Sequence, residues 1–168
     1  MKNTSNEVLA MSASVITPEN FLEHWQGHRR LTRRVIEAFP EEAFFNYSIG
    51  GMRPFVALAM ELIGMAGPSC LKGIVTGEWP AYTSPSIPDT KQEVLQLWDE
   101  VTEQINVYWA QIPPGRFQEH DVAFGIYEGQ IYSHLLYFVD NEIHHRGQGY
   151  VYLRSLGIEP PAFWDRVR

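Results

Sequence analysis

Cysteine is nearly missing from this chain, and so are several familiar binding loops. A single cysteine, Cys70, among 168 residues excludes an internal disulfide and any thiolate-cluster metal site, and it fits a reducing, cytoplasmic setting. Basic charge is also short: 13 Lys and Arg against 20 Asp and Glu leave a formal charge of −7. That balance repels phosphate backbones, so nucleic acid is not expected as a partner. No P-loop, dinucleotide fingerprint, nucleophile elbow or EF-hand loop occurs, which removes the usual support for phosphoryl or hydride transfer. Residues 1–16 carry Lys2 as their one basic group and no unbroken apolar run, unlike a secretory signal. The most apolar stretch, 54–70, contains Glu61, Gly64, Gly67 and Pro68 and is shorter than the roughly 20 apolar residues of a bilayer span. It reads as a buried helix, and no membrane partner is expected.

The chain does hold ample material for a core, with 45% hydrophobic and 13% aromatic residues. One compact domain is expected over 17–168, preceded by a tail over 1–16. Thr17-Pro18-Glu19 supplies a cap, a first-turn proline and an acid beside the positive helix end. Phe21, Trp25, His28, Thr32, Val35 and Phe39 then recur at helical spacing until Pro40. A second helix starts at Arg53-Pro54 and runs to about 75, with a break near Pro68. Prolines 80, 85 and 88 make 77–88 a long crossing loop. Thr90 and Glu93 have capping-box spacing at the start of a third helix, which Pro113-Pro114-Gly115 ends. A fourth spans about 127–156, is free of proline and is closed by Gly157. With little strand pattern between them, these segments predict an all-α four-helix bundle with a long crossover between helices two and three.

Three groups of residues could carry chemistry. Glu61 is the one acid or base within 55–69, on a helix that is apolar around most of its circumference; it is expected inside, where a carboxylate needs a partner, a cation or a proton. On helix four, Asn141, His145 and Gln148 share a face, and His144 falls about 100° away. His145 there can ligate a metal, exchange a proton or hold a structural bond. His24 and His28 form an i, i+4 pair that could reach one metal, but no acid matches them, so packing of His28 at a helix interface is favoured. Arg29, Arg30, Arg33 and Arg34 read as a solvated face of helix-spaced ion pairs.

The run Asn141-Glu142-Ile143-His144-His145-Arg146-Gly147-Gln148, followed by Tyr152-Leu153-Arg154 and Gly157, resembles the last-helix signature of the DinB/YfiT-like proteins. Phe21-Leu22-Glu23-His24-Trp25 and Arg53-Pro54-Phe55 are similar to that family as well. The resemblance implies a four-helix bundle with a crossover between helices two and three, and a homodimer. It also implies a divalent zinc- or nickel-like metal held by one helix-two ligand and two helix-four ligands. Matched residue by residue, the metal positions fall on Glu61, Asn141 and His145. Only His145 keeps the usual identity, and an Asn141 amide oxygen is a poor ligand for zinc. Either Glu61 and His145 hold a metal with help from Asn141, or the two bond directly across the site as a catalytic pair. Arg146 and Trp79 are candidates for the mouth of the pocket.

What the resemblance implies about function is a metal-dependent enzyme acting on a small-molecule substrate, a thiol-dependent transferase or isomerase being the most concrete class. Glu61 and His145 would then be catalytic. The alternatives are a small-molecule-binding or stress-response protein with a degenerate metal site, and a dimeric interaction module built on exposed aromatics of helix one or three.

Overall fold

A computed structural model describes residues 15–83 and 85–167; the expected tail lies outside the described residues apart from Val15 and Ile16. Helix α1, Pro18–Ala38, begins where Thr17 Oγ1 accepts from the Asn20 amide at 3.2 Å. The segment expected to be mixed contains a short helix, α2, Glu41–Asn46, with its two acids in the first turn and Phe44 driven fully into the core. The expected second helix forms as α3, Phe55–Met65, and α4, Pro68–Thr76. Gly67 and Pro68 break it, because the proline ring clashes with a continuing helix yet suits a new first turn. This joined stretch, 55–76, has the length and apolar composition of a membrane span, but 67% of an apolar 18-residue window in it is buried within the protein's own fold.

No regular element occurs between Thr76 and Thr90 among the described residues. The capping box then forms as its spacing predicts: Thr90 and Glu93 bond reciprocally, and α5 runs Lys91–Trp109. After a 3-10 turn, Pro114–Gln118, two strands pair antiparallel, β1 (His120–Ala123) with β2 (Tyr127–Gln130). This hairpin corrects the expectation of little strand structure. Its turn has Phe124 and Gly125 both at positive φ, 55° and 71°, a conformation that joins two tightly paired strands. The final helix, α6, therefore starts later than expected, at Ile131, and runs to Ser155, with Gly157 at φ 77° closing it.

Helix α1 packs on α5 and α6, α3 packs on α6, and α4 packs on α5. The core between them is aromatic-rich: Phe39 stacks on Phe55 with ring centroids 4.7 Å apart, and Phe44 meets Phe55 edge-on. Trp25, Trp98 and Trp109 are buried, and Phe21 and Tyr108 are partly buried against the core, so the expected exposed aromatics of helices one and three are not found among the described residues. Large exposed apolar side chains occur instead on α6, including Tyr132, Leu136, Tyr137 and Ile143, on the hairpin, and beyond α6 at Phe163 and Trp164. After α6 the chain returns along α1 as a strap. Arg30 Nε donates to the Arg166 carbonyl at 2.9 Å, and Arg34 holds both the carbonyl and the side chain of Asp165.

Gly149 sets how closely α6 approaches α3, since a Cβ there would lie 2.5 Å from Phe55 Cε2 and 2.7 Å from its Cζ. The Phe55 ring is fixed by Phe39 and Phe44 and cannot yield. Gly149→Ala should therefore destabilise the protein by about 1–2 kcal/mol, the overpacking cost exceeding the gain in helix propensity, as a denaturant midpoint will show.

Candidate functional site

Two polar centres lie on different faces of α6, and they are separated by a single residue step. Asn141, His145 and Gln148 face α3, where Glu61 and Arg53 meet them. Glu142 and Arg146, each one position further on, face α1. A step of about 100° per residue produces this division.

At the α3 face, Glu61 Oε1 lies 3.0 Å from His145 Nε2 and accepts from Asn141 Nδ2 at 3.3 Å, while Oε2 accepts from Arg53 Nη2 at 2.7 Å. The structure thus brings the three sequence-predicted residues together and adds Arg53, whose proximity was legible only as part of a helix-start motif. Glu61 is not inside as expected. Its side chain keeps 29% exposure, and Arg53, which pairs with it from the preceding loop, is itself 53% exposed. Partial burial raises its carboxyl pKa; the bonds from Arg53, His145 and Asn141 outweigh that and hold it below the usual glutamate value.

His145 is buried and is gripped at both nitrogens. Nδ1 lies 2.7 Å from Gln148 Oε1, and the Gln148 amide nitrogen faces Met52 Sδ at 3.5 Å. A thioether only accepts, which agrees with an amide placed oxygen toward the ring. Nδ1 then carries a proton and donates it to Gln148. Nε2 is left facing a carboxylate oxygen, and two lone pairs at 3.0 Å require a cation between them. The site is suited to a proton or a metal ion at that point. His144 is exposed and meets the His145 ring edge-on, with centroids 5.0 Å apart. Arg146 and Trp79 are not at this mouth: Arg146 turns toward α1, and Trp79 packs against Phe124 and His134. An open apolar cavity of ≈ 680 Å³ lies elsewhere, lined by Phe21, Phe117, Tyr132 and Leu136 among others, and touches neither Glu61 nor His145.

The α1 face corrects the reading of the arginine patch. Arg30, Arg33 and Arg34 do form partly exposed ion pairs with Glu23, Asp99 and Asp165. Arg29, however, is fully buried, its guanidinium 3.3 Å from the Trp98 ring centroid and its Nη1 3.7 Å from Glu142 Oε2. Glu142, 2% exposed, accepts from Thr32 Oγ1 at 2.6 Å, and Arg146 donates to Thr32 at 3.0 Å and approaches His28 Nδ1 at 2.8 Å. A charge at every third or fourth position did not reveal that one of the four arginines turns inward. The matching acid, Glu142, sat unremarked two residues ahead of His144-His145-Arg146. Burial pulls the Arg29 guanidinium down to about 10, with Glu142 opposing, so it stays charged at neutral pH. His28 is pushed down to about 3, first by burial and then by Arg146, Arg166 and His24.

The two glutamates should behave differently. Glu142→Ala leaves Arg29 and Arg146 buried without a counter-charge and should cost about 3–5 kcal/mol. Glu61→Gln, at a part-exposed pair, should cost less than about 1 kcal/mol. Chemical denaturation at pH 7 distinguishes them. His28 adds acid sensitivity: the unfolded ring takes a proton near 6.5 and the folded ring only near 3. Stability must therefore fall as pH drops below 6.5, and urea midpoints between pH 7 and pH 5 should decline less steeply in His28→Gln.

Comparison with known proteins agrees with this architecture. The DinB family model matches residues 89–166, a segment that contains Asn141, Glu142, His145 and Arg146 but not Glu61. A solved DinB-like protein from Bacillus cereus superposes with a TM-score of 0.71 over 87% of this chain and 97% of its own, at 17% identity. A DinB-like protein from Bacillus subtilis gives 0.67 over 88% and 99%, at 18% identity. No curated protein matches. The mostly helical fold is thus shared with DinB-like structures, and with the matched segment it supports membership of the DinB family for this chain.

Proposed function

We propose that this chain is an enzyme acting on a small molecule, built as a DinB-type four-helix bundle in which 77–90 is the crossover, with Glu61 and His145 as its reacting pair. The observation that carries the proposal is the 3.0 Å contact between His145 Nε2 and Glu61 Oε1, with Gln148 holding the other ring nitrogen. Filled by a proton, the pair is an acid–base centre: His145 gives or takes the proton at Nε2, and Glu61, steadied by Asn141 and Arg53, stabilises the charged ring. The class that the family resemblance suggests is thiol-dependent transfer to, or isomerisation of, a small electrophile. Such chemistry needs a group that exchanges the thiol proton, and the His145–Glu61 pair supplies one at Nε2.

A second reading has a specific observation in its favour. Glu61 Oε1 lies 3.0 Å from His145 Nε2 and 3.3 Å from the Asn141 amide, the spacing of neighbouring donors around one ion with bonds of about 2.1 Å. A divalent zinc or nickel ion would take Glu61 and His145 as its two good ligands, with the turned Asn141 amide as a weak third. When bound, such an ion supplies Lewis acidity and lowers the pKa of a coordinated thiol or water. The Arg53 guanidinium, 2.7 Å from the same carboxylate, opposes a second cation, so affinity should be below that of a three-histidine site. A cytoplasmic location and a homodimer using the exposed α6 side chains Tyr132, Leu136 and Ile143 complete the proposal.

The test is consumption of low-molecular-weight thiols with a model aryl halide, on protein stripped of metal and then supplied with zinc or nickel. Turnover should fall by about 10²-fold or more in His145→Ala, while Glu61→Gln remains folded. Turnover unaffected by stripping supports the proton centre, and turnover restored only by metal supports the second reading. Absence of turnover under both conditions, with no metal-induced thermal shift, would leave a binding or interaction role and end the enzyme proposal.

A further inference from the structure

The α1 face holds a hydrogen-bonding conflict that the Glu61–His145 centre does not use. His28 Nδ1 lies 2.8 Å from Arg146 Nη2. His28 Nε2 lies 3.2 Å from His24 Nε2 and 3.1 Å from Arg166 Nη1. The same Arg166 nitrogen lies 3.4 Å from His24 Nδ1. These four contacts join two guanidinium groups, which only donate, to two rings that offer one lone pair each when neutral. Two of the four contacts therefore have no acceptor. Arg146 must take the His28 Nδ1 lone pair, because an N–H there would meet the guanidinium head-on, so the His28 proton sits on Nε2. His24 has one lone pair to share between His28 and Arg166. Whichever partner receives it, an N–H remains directed at another N–H beside Arg166.

The arrangement is built into the fold. Gly27 has no side chain, and a Cβ there would come within 3.3 Å of Arg166 Cβ, so the strap lies directly on α1. Arg30 holds the Arg166 carbonyl, and Arg34 holds Asp165. The neighbouring carboxylates are already engaged: Glu23 with Arg30, Asp165 with Arg34, and Glu142 with Thr32 and Arg29. On the same side of α6 the buried Tyr150 hydroxyl has no hydrogen-bond partner, and the charges acting on it are Arg146, Arg34 and Arg154. The Arg34 Nε is likewise buried without an acceptor. Donors outnumber acceptors across the junction, and His24 opens it to solvent.

We propose that His24, His28 and Arg166, at the junction of α1 with the C-terminal strap, form a binding site for a small oxyanion of the phosphate or carboxylate class. Its oxygens accept from Arg166 Nη1 and from the ring N–H groups that otherwise oppose one another. A metal ion does not suit the His24–His28 pair, despite the i, i+4 spacing. Ligation through His28 Nε2 would move its proton to Nδ1, against Arg146, and would place a second cation beside Arg166.

The experiment is isothermal titration of the full chain with inorganic phosphate, and separately acetate, at fixed ionic strength, alongside nitrogen-15 spectra of the histidine rings. Saturable binding is expected for at least one probe, with the His24 ring responding and the His145 ring unchanged. Arg166→Gln should weaken it roughly tenfold or more, the loss of a charge-assisted bond, and His24→Phe should weaken it as well. Circular dichroism confirms folding, and Arg166→Lys, which keeps the charge, should retain part of the affinity if strap loosening is not the cause. No saturable binding of either probe, or binding unchanged in both Arg166→Gln and His24→Phe, overturns the proposal. Tight zinc binding lost in His24→Phe but kept in His145→Ala overturns it in favour of a metal pair.

Discussion

Glu142 is the buried carboxylate around which the buried guanidinium groups of Arg29 and Arg146 gather, and the placement of three helices depends on it. It is 2% exposed and sits between Thr32 of α1 and the guanidinium groups of Arg29 and Arg146, while Arg29 in turn lies on the Trp98 ring of α5 and bonds its carbonyl. Apolar packing tolerates small sliding of one helix past another. A buried carboxylate does not, because each lost contact exposes an ion to a medium that cannot solvate it. The network need not add net stability over a well-packed apolar substitute, but it fixes one register of α1, α5 and α6 against the alternatives.

That register gives α6 its two different polar faces. With Glu142 and Arg146 committed to α1, the residues one step earlier, Asn141 and His145, are directed at α3 and meet Glu61. The structural carboxylate is dry and fully paired. The candidate functional one is half-open, has one oxygen on Arg53 and shares the other with an imidazole and an amide. Exposure rather than charge separates the roles: a group that must exchange a proton or accept a ligand needs a route to solvent, and only Glu61 has one.

Helix boundaries were legible because they depend on local chemistry: the Thr17 cap, the Thr90–Glu93 capping box, the Pro68 break and the Gly157 stop all lie within a few residues of what they control. The shared face of Asn141 and His145 was legible for the same reason. What escaped was set at a distance. The hairpin depends on a Phe124-Gly125 turn with both residues at positive φ and on pairing across a short loop, and four-residue strands leave too little alternation to detect. Arg29 looked like its three neighbours until α5 and α6 supplied a tryptophan face and an acid. Glu61 was expected inside because its own helix is apolar, yet it lies beside a half-exposed Arg53 and keeps 29% exposure.

The charge balance acquires a different meaning once these pairs are placed. A formal −7 describes the far field, which disfavours polyanions, but over a few ångströms the potential is governed by which carboxylates are already taken. Around α1 and the strap, Glu23, Asp165 and Glu142 are each bound to an arginine, and further arginines and two neutral imidazoles remain. An acidic protein thus carries a cationic junction on one side of α6 and a carboxylate–imidazole centre on another. The helix between them is held by the same buried glutamate, so any rearrangement of the strap that displaced Arg146 would also act on Glu142, and through its register on His145. Both centres are thus built on one helix, α6, whose register the buried Glu142 holds through Thr32 and Arg146.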